Sequence, residues 1–327
     1  GTIEGLVFGV EMVYVPAGPF TVGDPEPRAA DGNAFNRVRI TSEAELAVGP
    51  QSGAINYKAS QYGGDALGPV PATFPKGTRA FYVMKYEVLQ GQYATFLNTL
   101  NDYATSFRSP TGGRDYYEHR GTIRLENGRY VAGSPDRPAN MLSWDDGTAF
   151  ADWAGLRPWT ELEFTKAARG PVEPIANDFP WGTASKDRLL RRNAPNDELV
   201  QTGDADEAKL TDATRDVIGA SYYWVMDLAG SVWEKVVTIG HPKGRAFLGT
   251  HGDGQLSGTG MATNADWPLG DHDSAGYGYR GGGYYERGMT ETALNPHSRT
   301  EQRPYGSWGG APRGVGYGFR AARTADQ

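Results

Sequence analysis

The chain has 327 residues, a formal net charge of −7 at pH 7 and no cysteine. The acidic balance argues against the clustered Lys and Arg surface that nucleic-acid binding requires, and the absence of cysteine excludes disulfides, thiolate metal sites and cysteine nucleophiles. No apolar run approaches the roughly 20 residues that a membrane-spanning helix needs. We therefore predict neither a nucleic-acid partner nor a membrane span.

Glycine and aromatic residues are the unusual parts of the composition. The chain contains 45 Gly, 18 Tyr and 8 Trp, and this glycine fraction is roughly twice the usual one. Disordered chains are poor in aromatic residues. The composition thus predicts an ordered fold that is rich in loops.

The first half of the chain alternates between short regular elements and irregular segments. Residues 12–24 alternate apolar and polar side chains around turn residues, which predicts a hairpin of short strands. Residues 25–77 are polar and rich in Gly and Pro, and we interpret them as a surface insertion. Residues 80–88 predict a strand that leads into a helix at 91–100, and residues 101–137 predict a second irregular insertion.

Two helices with clear start signals follow. Ser143 is a candidate N-cap with Asp146 three residues later, and Thr160 is another with Glu163 in the same relation. Both patterns match a capping box, in which two side chains satisfy free amides of the first turn. Gly170 marks the end of the second helix. Three further short strands are predicted at residues 222–226, 279–285 and 316–323.

Residues 227–234 read Asp-Leu-Ala-Gly-Ser-Val-Trp-Glu, and they are the most informative octet of the chain. Two carboxylates and a glycine turn in one short loop are typical of sites for a hard divalent cation such as Ca²⁺. The alternative is a capped turn in which Trp233 belongs to the core and Glu234 forms a salt bridge. The residue types alone leave both interpretations open.

Eight short motifs occur in order along the chain, at residues 12–20, 84–88, 138–144, 156–169, 179–182, 227–234, 280–284 and 318–322. Taken together, they resemble the formylglycine-generating enzyme (sulfatase-modifying factor) family. The resemblance implies an α+β, C-type-lectin-like fold with little regular secondary structure, here as one domain over residues 1–327. The family contains enzymes as well as non-catalytic binding and structural proteins, so it leaves the function open.

The resemblance also implies metal sites. In the family, the loop that corresponds to residues 227–234 binds Ca²⁺, and the matching ligands are the side chains of Asp227 and Glu234 and the main-chain oxygens of Gly230 and Val232. A second family site corresponds to Asn193, for which a solvated polar loop is the alternative. We predict Ca²⁺ as the cofactor.

The catalytic cysteines of the family have no counterpart in this chain. Their positions correspond to Glu286 and a residue near Glu291, and a carboxylate cannot replace the soft sulfur ligands that Cu(I) prefers. The known route to formylglycine is therefore excluded. A general acid–base role for this carboxylate pair is an alternative, and the five scattered histidines give no pattern for an iron site.

The segment 284–317 is the predicted recognition surface. It is rich in Tyr, Trp and Arg, which are the usual anchors of binding interfaces, and the resemblance places it along the family's ligand groove. The alternative is that these aromatic side chains only hold an irregular loop in place. The predicted contact residues are Tyr284, Tyr285, Glu286, Arg287, Arg303, Tyr305 and Trp308.

These observations predict a non-catalytic, calcium-stabilised binding or structural protein that is secreted or lies at the cell surface. Its partner would be another protein, a glycan or further copies of itself. Two alternatives remain: an enzyme with a replaced catalytic set, and a ligand-display protein diversified by a retroelement.

Overall fold

The structure is a computed structural model that describes residues 9–26, 32–189, 211–269, 275–285, 297–310 and 313–325. The helices are α1 (Gln90–Leu97), α2 (Asp102–Arg108), α3 (Arg114–Glu118), α4 (Trp144–Trp153), α5 (Glu161–Arg169), α6 (Arg215–Ile218) and α7 (Pro242–Arg245). The strands are β1 (Met12–Val15), β2 (Phe20–Val22), β3 (Val38–Ile40), β4 (Phe81–Met84), β5 (Ile123–Glu126), β6 (Arg129–Ala132), β7 (Arg157–Pro158), β8 (Glu234–Val237), β9 (Tyr277–Arg280) and β10 (Ala321–Thr324).

The largest sheet joins the two ends of the chain. It is antiparallel, with the strand order β1-β4-β10-β7. Its buried face carries Val15, Phe81 and Val83, which form one apolar cluster with Trp159 and Phe164. The remaining strands pair as β2–β3, β5–β6 and β8–β9. The predicted α+β class with little regular secondary structure is confirmed.

The prediction of an opening hairpin at residues 12–24 is wrong. The first strand, β1, pairs with β4 and the second, β2, pairs with β3, so the two opening strands lie in different sheets. The turn between them explains the difference. Gly18 has a φ of +141°, and its amide donates to the carbonyl oxygen of Thr78 at 3.0 Å, so the turn is held by a distant segment.

The two segments interpreted as insertions are more ordered than predicted. Residues 101–137 contain α2, α3 and the β5–β6 hairpin, so the prediction of an irregular segment is wrong there. Each of these elements buries only one narrow side and therefore contains few apolar residues. The sequence of residues 101–137 consequently shows no clear helical or strand periodicity. The described part of residues 25–77 contributes several buried side chains to the core, among them Phe35, Ile55, Tyr57, Val70 and Phe74.

The two predicted capping boxes are confirmed. The Ser143 hydroxyl accepts a hydrogen bond from the amide of Asp146 at 3.0 Å, and the Asp146 carboxylate accepts one from the amide of Ser143 at 2.8 Å. Thr160 and Glu163 exchange the same pair of bonds at 3.1 and 3.0 Å. Each cap of this kind stabilises its helix by about 1 kcal/mol. None of the helices in the described ranges is long and apolar enough to cross a membrane.

The three late strands are only partly confirmed. Residues 222–226 form no strand, because Trp224 has a φ of +68° and the chain turns there. The strand predicted at 279–285 is β9, which ends at Arg280, and the one predicted at 316–323 is β10.

Buried arginines link elements that are distant in the chain. Each of four lies in the interior with a carboxylate partner, and such pairs are costly to break because the remaining charge would stay buried and unpaired. The pairs are Arg157–Glu163, Arg169–Asp178, Arg303–Glu161 and Arg320–Glu234.

Candidate functional site

The loop at residues 227–234 is buried and strongly curved. Asp227, Gly230 and Ser231 have φ angles of +62°, +84° and +61°, in the left-handed region. Hydrogen bonds hold the loop on two sides: the Gly230 amide donates to Gly281, and the Trp233 amide donates to the carbonyl oxygen of residue 316, at 2.8 and 2.7 Å. The strained turn is thus fixed by segments on either side of residues 286–296.

Glu234 is held by an arginine. Both of its carboxylate oxygens accept hydrogen bonds from Arg320 at 2.8 Å, and a second carboxylate, that of Glu87, lies 3.6 Å from the same guanidinium. Burial is the largest influence on Glu234 and raises its pKa to about 7, against the opposing effect of Arg320. This geometry therefore agrees with the alternative from the sequence analysis, in which Glu234 forms a salt bridge.

The predicted calcium ligands fit a cation unequally. Asp227 is buried in the turn, and the buried Ser231 hydroxyl beside it has no hydrogen-bond partner among the described residues. Glu234 could serve as a ligand only by sharing its carboxylate with Arg320. No group of three or more His, Asp or Glu side chains that could hold a metal occurs in the part of the chain that the structure describes. Asn193 lies outside the described residues.

A continuous set of aromatic rings extends from the core to the surface near this loop. We call Tyr62, Trp233, His297, Tyr305 and Trp308 the aromatic wall. The ring centroid of Tyr305 lies 5.5 Å from Trp233, 5.2 Å from Trp308 and 5.9 Å from Tyr62. His297 lies 5.8 Å from Trp233. Trp233 is buried, whereas Tyr62 is 40% exposed, so the wall runs from interior to solvent.

The structure separates the predicted recognition residues into two groups. Tyr305 and Trp308 are half-buried in the aromatic wall, and Tyr285 is half-buried with its ring 4.9 Å from His119. These three can contact a ligand. Glu286 and Arg287 lie outside the described residues.

Tyr284 and Arg303 cannot contact a ligand in this structure because both are buried. The Tyr284 hydroxyl lies within hydrogen-bond distance of the carbonyl oxygens of His119 and Val315, at 2.8 and 2.7 Å. Arg303 pairs with Glu161 at 3.0 Å. The sequence interpretation of these two residues as surface anchors is therefore corrected: they hold the loops in place.

The sequence did not reveal Tyr62 or Lys235 as members of this region. Tyr62 lies in the segment interpreted as an insertion and reaches the wall because its carbonyl oxygen accepts the amide of Ser307 at 2.7 Å. Lys235 is fully buried, with its ammonium 5.3 Å from the Tyr279 ring and 5.2 Å from the Tyr317 ring. The sequence feature that could have identified Lys235 is its position in a strand whose other residues are also buried.

The family described as "Sulfatase-modifying factor enzyme 1-like domain" matches residues 8–325 of the chain. The formylglycine-generating enzyme of Streptomyces coelicolor is 24% identical over 247 residues, which cover 68% of this chain and 75% of that enzyme. The formylglycine-generating enzyme of Thermomonospora curvata is 32% identical over 108 residues, covering 33% of this chain and 35% of that enzyme. The hercynine oxygenase of Mycolicibacterium smegmatis is 30% identical over 132 residues, covering 40% and 26%.

The chain is also similar to the solved structure of PvdO from Pseudomonas aeruginosa, with a TM-score of 0.48 and 18% identity over 99% of this chain and 100% of that one. The three relatives are all enzymes by name. This finding contradicts the prediction that the chain is not an enzyme, which rested on the missing cysteines alone. The missing thiol excludes one reaction route, and it does not exclude catalysis by other groups.

Proposed function

Because the chain belongs to the sulfatase-modifying factor enzyme 1-like family, we propose that it holds a polypeptide substrate or partner on the aromatic wall. The observation that carries this proposal is the unbroken contact from buried Trp233 through Tyr305 to exposed Tyr62. Tyr285 and His297 directly flank residues 286–296, where the family resemblance places the catalytic positions. A ligand on the wall would therefore contact His297, the described residue that directly follows that segment.

The geometry of the rings favours a polypeptide over a glycan. Tyr62 meets Tyr305 and Trp308 at interplanar angles of 70° and 68°, and Tyr305 meets Trp308 at 44°. Rings at such angles do not combine into one flat platform, and their mixture of edges and faces suits the varied apolar side chains of a polypeptide. Tyr and Trp in such positions are typical anchors of protein interfaces.

Any reaction at this site uses groups other than a thiolate. The similarity to a hercynine oxygenase supports an enzyme with a replaced catalytic set as the second candidate function. Two imidazoles border residues 286–296: His297 follows the segment, and His119 packs against Tyr285, which precedes it.

The test uses a fluorescein-labelled peptide that contains the sulfatase cysteine motif, with binding followed by fluorescence anisotropy. We expect Trp308→Ala and Tyr62→Ala each to weaken binding by roughly 5- to 150-fold, the range for interface anchors of about 1–3 kcal/mol. Tyr103→Ala is the matched control, because Tyr103 is exposed on α2 outside the wall. Equal affinity of all variants, or no binding to the unmodified protein, would overturn the proposal.

The same incubation separates binding from catalysis. Mass spectrometry of the peptide reports whether its mass changes. A changed mass that depends on His119 or His297 supports the second candidate, and an unchanged mass with intact binding supports recognition alone.

We also propose Ca²⁺ at the loop of residues 227–234. The support is the buried carboxylate of Asp227 in a left-handed turn, the adjacent hydroxyl of Ser231 and the main-chain oxygens of Gly230 and Val232. Oxygen ligands of this kind suit a hard cation. The secreted or cell-surface location is part of the same proposal, because extracellular fluid supplies calcium at concentrations that weak sites require.

A further inference from the structure

A separate cleft of about 620 Å³ lies on the side of the four-stranded sheet where β7 and β10 meet residues 72–81 and 248–251. Its volume is within the range of small-molecule sites in proteins. None of its lining residues belongs to the aromatic wall or to the loop at 227–234. The cleft therefore needs its own explanation.

The floor of the cleft is a neutral and rigid ion pair. The guanidinium of Arg157 contacts the carboxylate of Glu163 at 2.6 and 2.9 Å, and its Nε donates to the hydroxyl of Thr324 at 3.0 Å. Arg157 and Glu163 are almost completely buried. Since each charge is compensated by the other, the floor presents polar atoms in fixed positions without a net charge.

The rim carries two charged side chains, those of Glu43 and Arg79. Of these two, only the charged group of Glu43 has hydrogen-bond partners among the described residues. The Glu43 carboxylate accepts hydrogen bonds from the main-chain amides of Lys76, Thr78 and Arg79 at 2.7, 2.7 and 3.1 Å. The side chain of Arg79 is exposed, and no residue in the described ranges accepts a hydrogen bond from its guanidinium. The cleft thus offers a free planar donor that suits a carboxylate.

The walls add an apolar surface. Leu248 is 52% exposed at the rim, and Pro75 and Ala80 are half-buried beside the cleft. His251 is fixed in one tautomer: its Nε2 accepts the amide of Thr324 at 2.9 Å, so the proton of the neutral ring lies on Nδ1. The exposed side chain of Leu248 and the guanidinium of Arg79 both line the cleft. They can contact the apolar end and the charged end of one amphipathic ligand.

We propose that this cleft binds a small organic monocarboxylate, with the carboxylate on Arg79 and the apolar chain against Leu248 and Pro75. The class follows from the charges in the lining. A phosphate or another dianion would carry a second charge that Arg79 does not neutralise, close to the carboxylate of Glu43, which is hydrogen-bonded to amides but keeps its charge, and like charges at short range are unfavourable. A singly charged carboxylate can form an ion pair with Arg79 and is repelled less by the carboxylate on the rim.

The experiment is isothermal titration calorimetry of the full chain with hexanoate, hexanol and hexyl phosphate. At pH 8, where hexyl phosphate is a dianion, we expect hexanoate to bind more tightly than either of the other two, because only it has both the single charge and the apolar chain. Arg79→Gln should weaken hexanoate binding by at least about tenfold, as expected for the loss of a hydrogen bond between charged groups. Leu248→Ala should also weaken it.

The matched control is Arg129→Gln. Arg129 is exposed on β6 and does not line the cleft, so this variant should bind hexanoate as the unmodified protein does. The proposal is overturned if hexanoate does not bind, if hexyl phosphate binds more tightly, or if Arg79→Gln and Arg129→Gln have equal affinity. Because peptide binding is measured at other residues, its failure and this one are distinguishable.

Discussion

The stability of this protein should depend on pH through one buried lysine. Lys235 donates hydrogen bonds to the carbonyl oxygens of Leu142 and Gly318, at 2.6 and 3.3 Å, and no carboxylate of the described residues touches its ammonium group. The nearest charge that favours its protonation is Asp146, which is itself paired with Arg313 at 2.7 Å. Burial therefore dominates and lowers the pKa of Lys235 to about 7.

The sign of the effect follows from proton binding in the two states. In the unfolded chain the lysine has a pKa of about 10.4, so between pH 7 and 10 the unfolded state binds one proton more than the folded state does. The free energy of unfolding must then rise with pH by about 1.4 kcal/mol per unit in this window. Below pH 7 the lysine is charged in both states and contributes no slope.

The assay is urea unfolding of the unmodified protein and of Lys235→Met at pH 7.5, 8.5 and 9.5. Methionine is unbranched and one atom shorter than lysine, so it keeps most of the side-chain volume and removes the titration. Between the first and last pH the free energy of unfolding of the unmodified protein should rise by roughly 2–3 kcal/mol more than that of the variant. Comparing the two proteins cancels the contributions of other groups that titrate in this window. One such group is Lys166, because burial lowers its pKa to about 8.

Equal pH dependence in the two proteins would refute this reasoning. It would mean that water or a rearrangement solvates the ammonium group of Lys235, and that the contacts with Tyr279 and Tyr317 do not exclude it from solvent. The upper limit of pH 9.5 matters because burial raises the pKa of Tyr279 well above its ordinary value of 10.0. That tyrosine contributes the opposite slope at higher pH.

Three further perturbations follow from the same structure. Arg320→Met should lower the free energy of unfolding by about 3–5 kcal/mol, measured in urea, because Glu234 would lose its partner and would have to stay buried as an unpaired charge or take up a proton; a loss below about 1 kcal/mol would contradict this. Gly147→Ala should destabilise α4 by about 1–3 kcal/mol despite the better helix propensity of alanine, because its Cβ would lie 2.1 Å from the Phe319 ring; a raised melting temperature would contradict the packing. A chelator should lower the melting temperature, and Asp227→Ala should abolish that sensitivity, since an ion bound only by the folded chain stabilises it; an unchanged melting curve would remove the calcium proposal.

The parts of the fold that the sequence predicted are those determined by neighbouring residues. The capping boxes at Ser143 and Thr160 were predicted because each forms within four residues. The turn at 227–234 was recognisable for the same reason, whereas the left-handed backbone of Asp227 and Ser231 was not predicted. The family could be identified because its motifs also have short, local spacings.

The parts that the sequence did not predict depend on partners far along the chain. β1 pairs with β4, roughly seventy residues later, and no periodicity in residues 12–24 encodes that choice. Tyr284 and Arg303 have the composition of surface anchors, yet their partners at His119 and Glu161 keep them inside. Tyr62 was missed because its segment is polar and its aromatic contacts are all with residues beyond position 300.

The location of the buried charges explains how this fold can carry different chemistry. Arg157, Arg169, Arg303 and Arg320 each form their ion pair with residues outside the segment 286–296. Replacing the side chains at the family's catalytic positions therefore breaks none of these pairs, and the scaffold need not change when the reaction does. Fold membership then constrains where a ligand lies and leaves open what happens to it. The peptide assay addresses both parts. The effect of Trp308→Ala on binding shows where the peptide lies, and the mass of the peptide after incubation shows whether it has reacted.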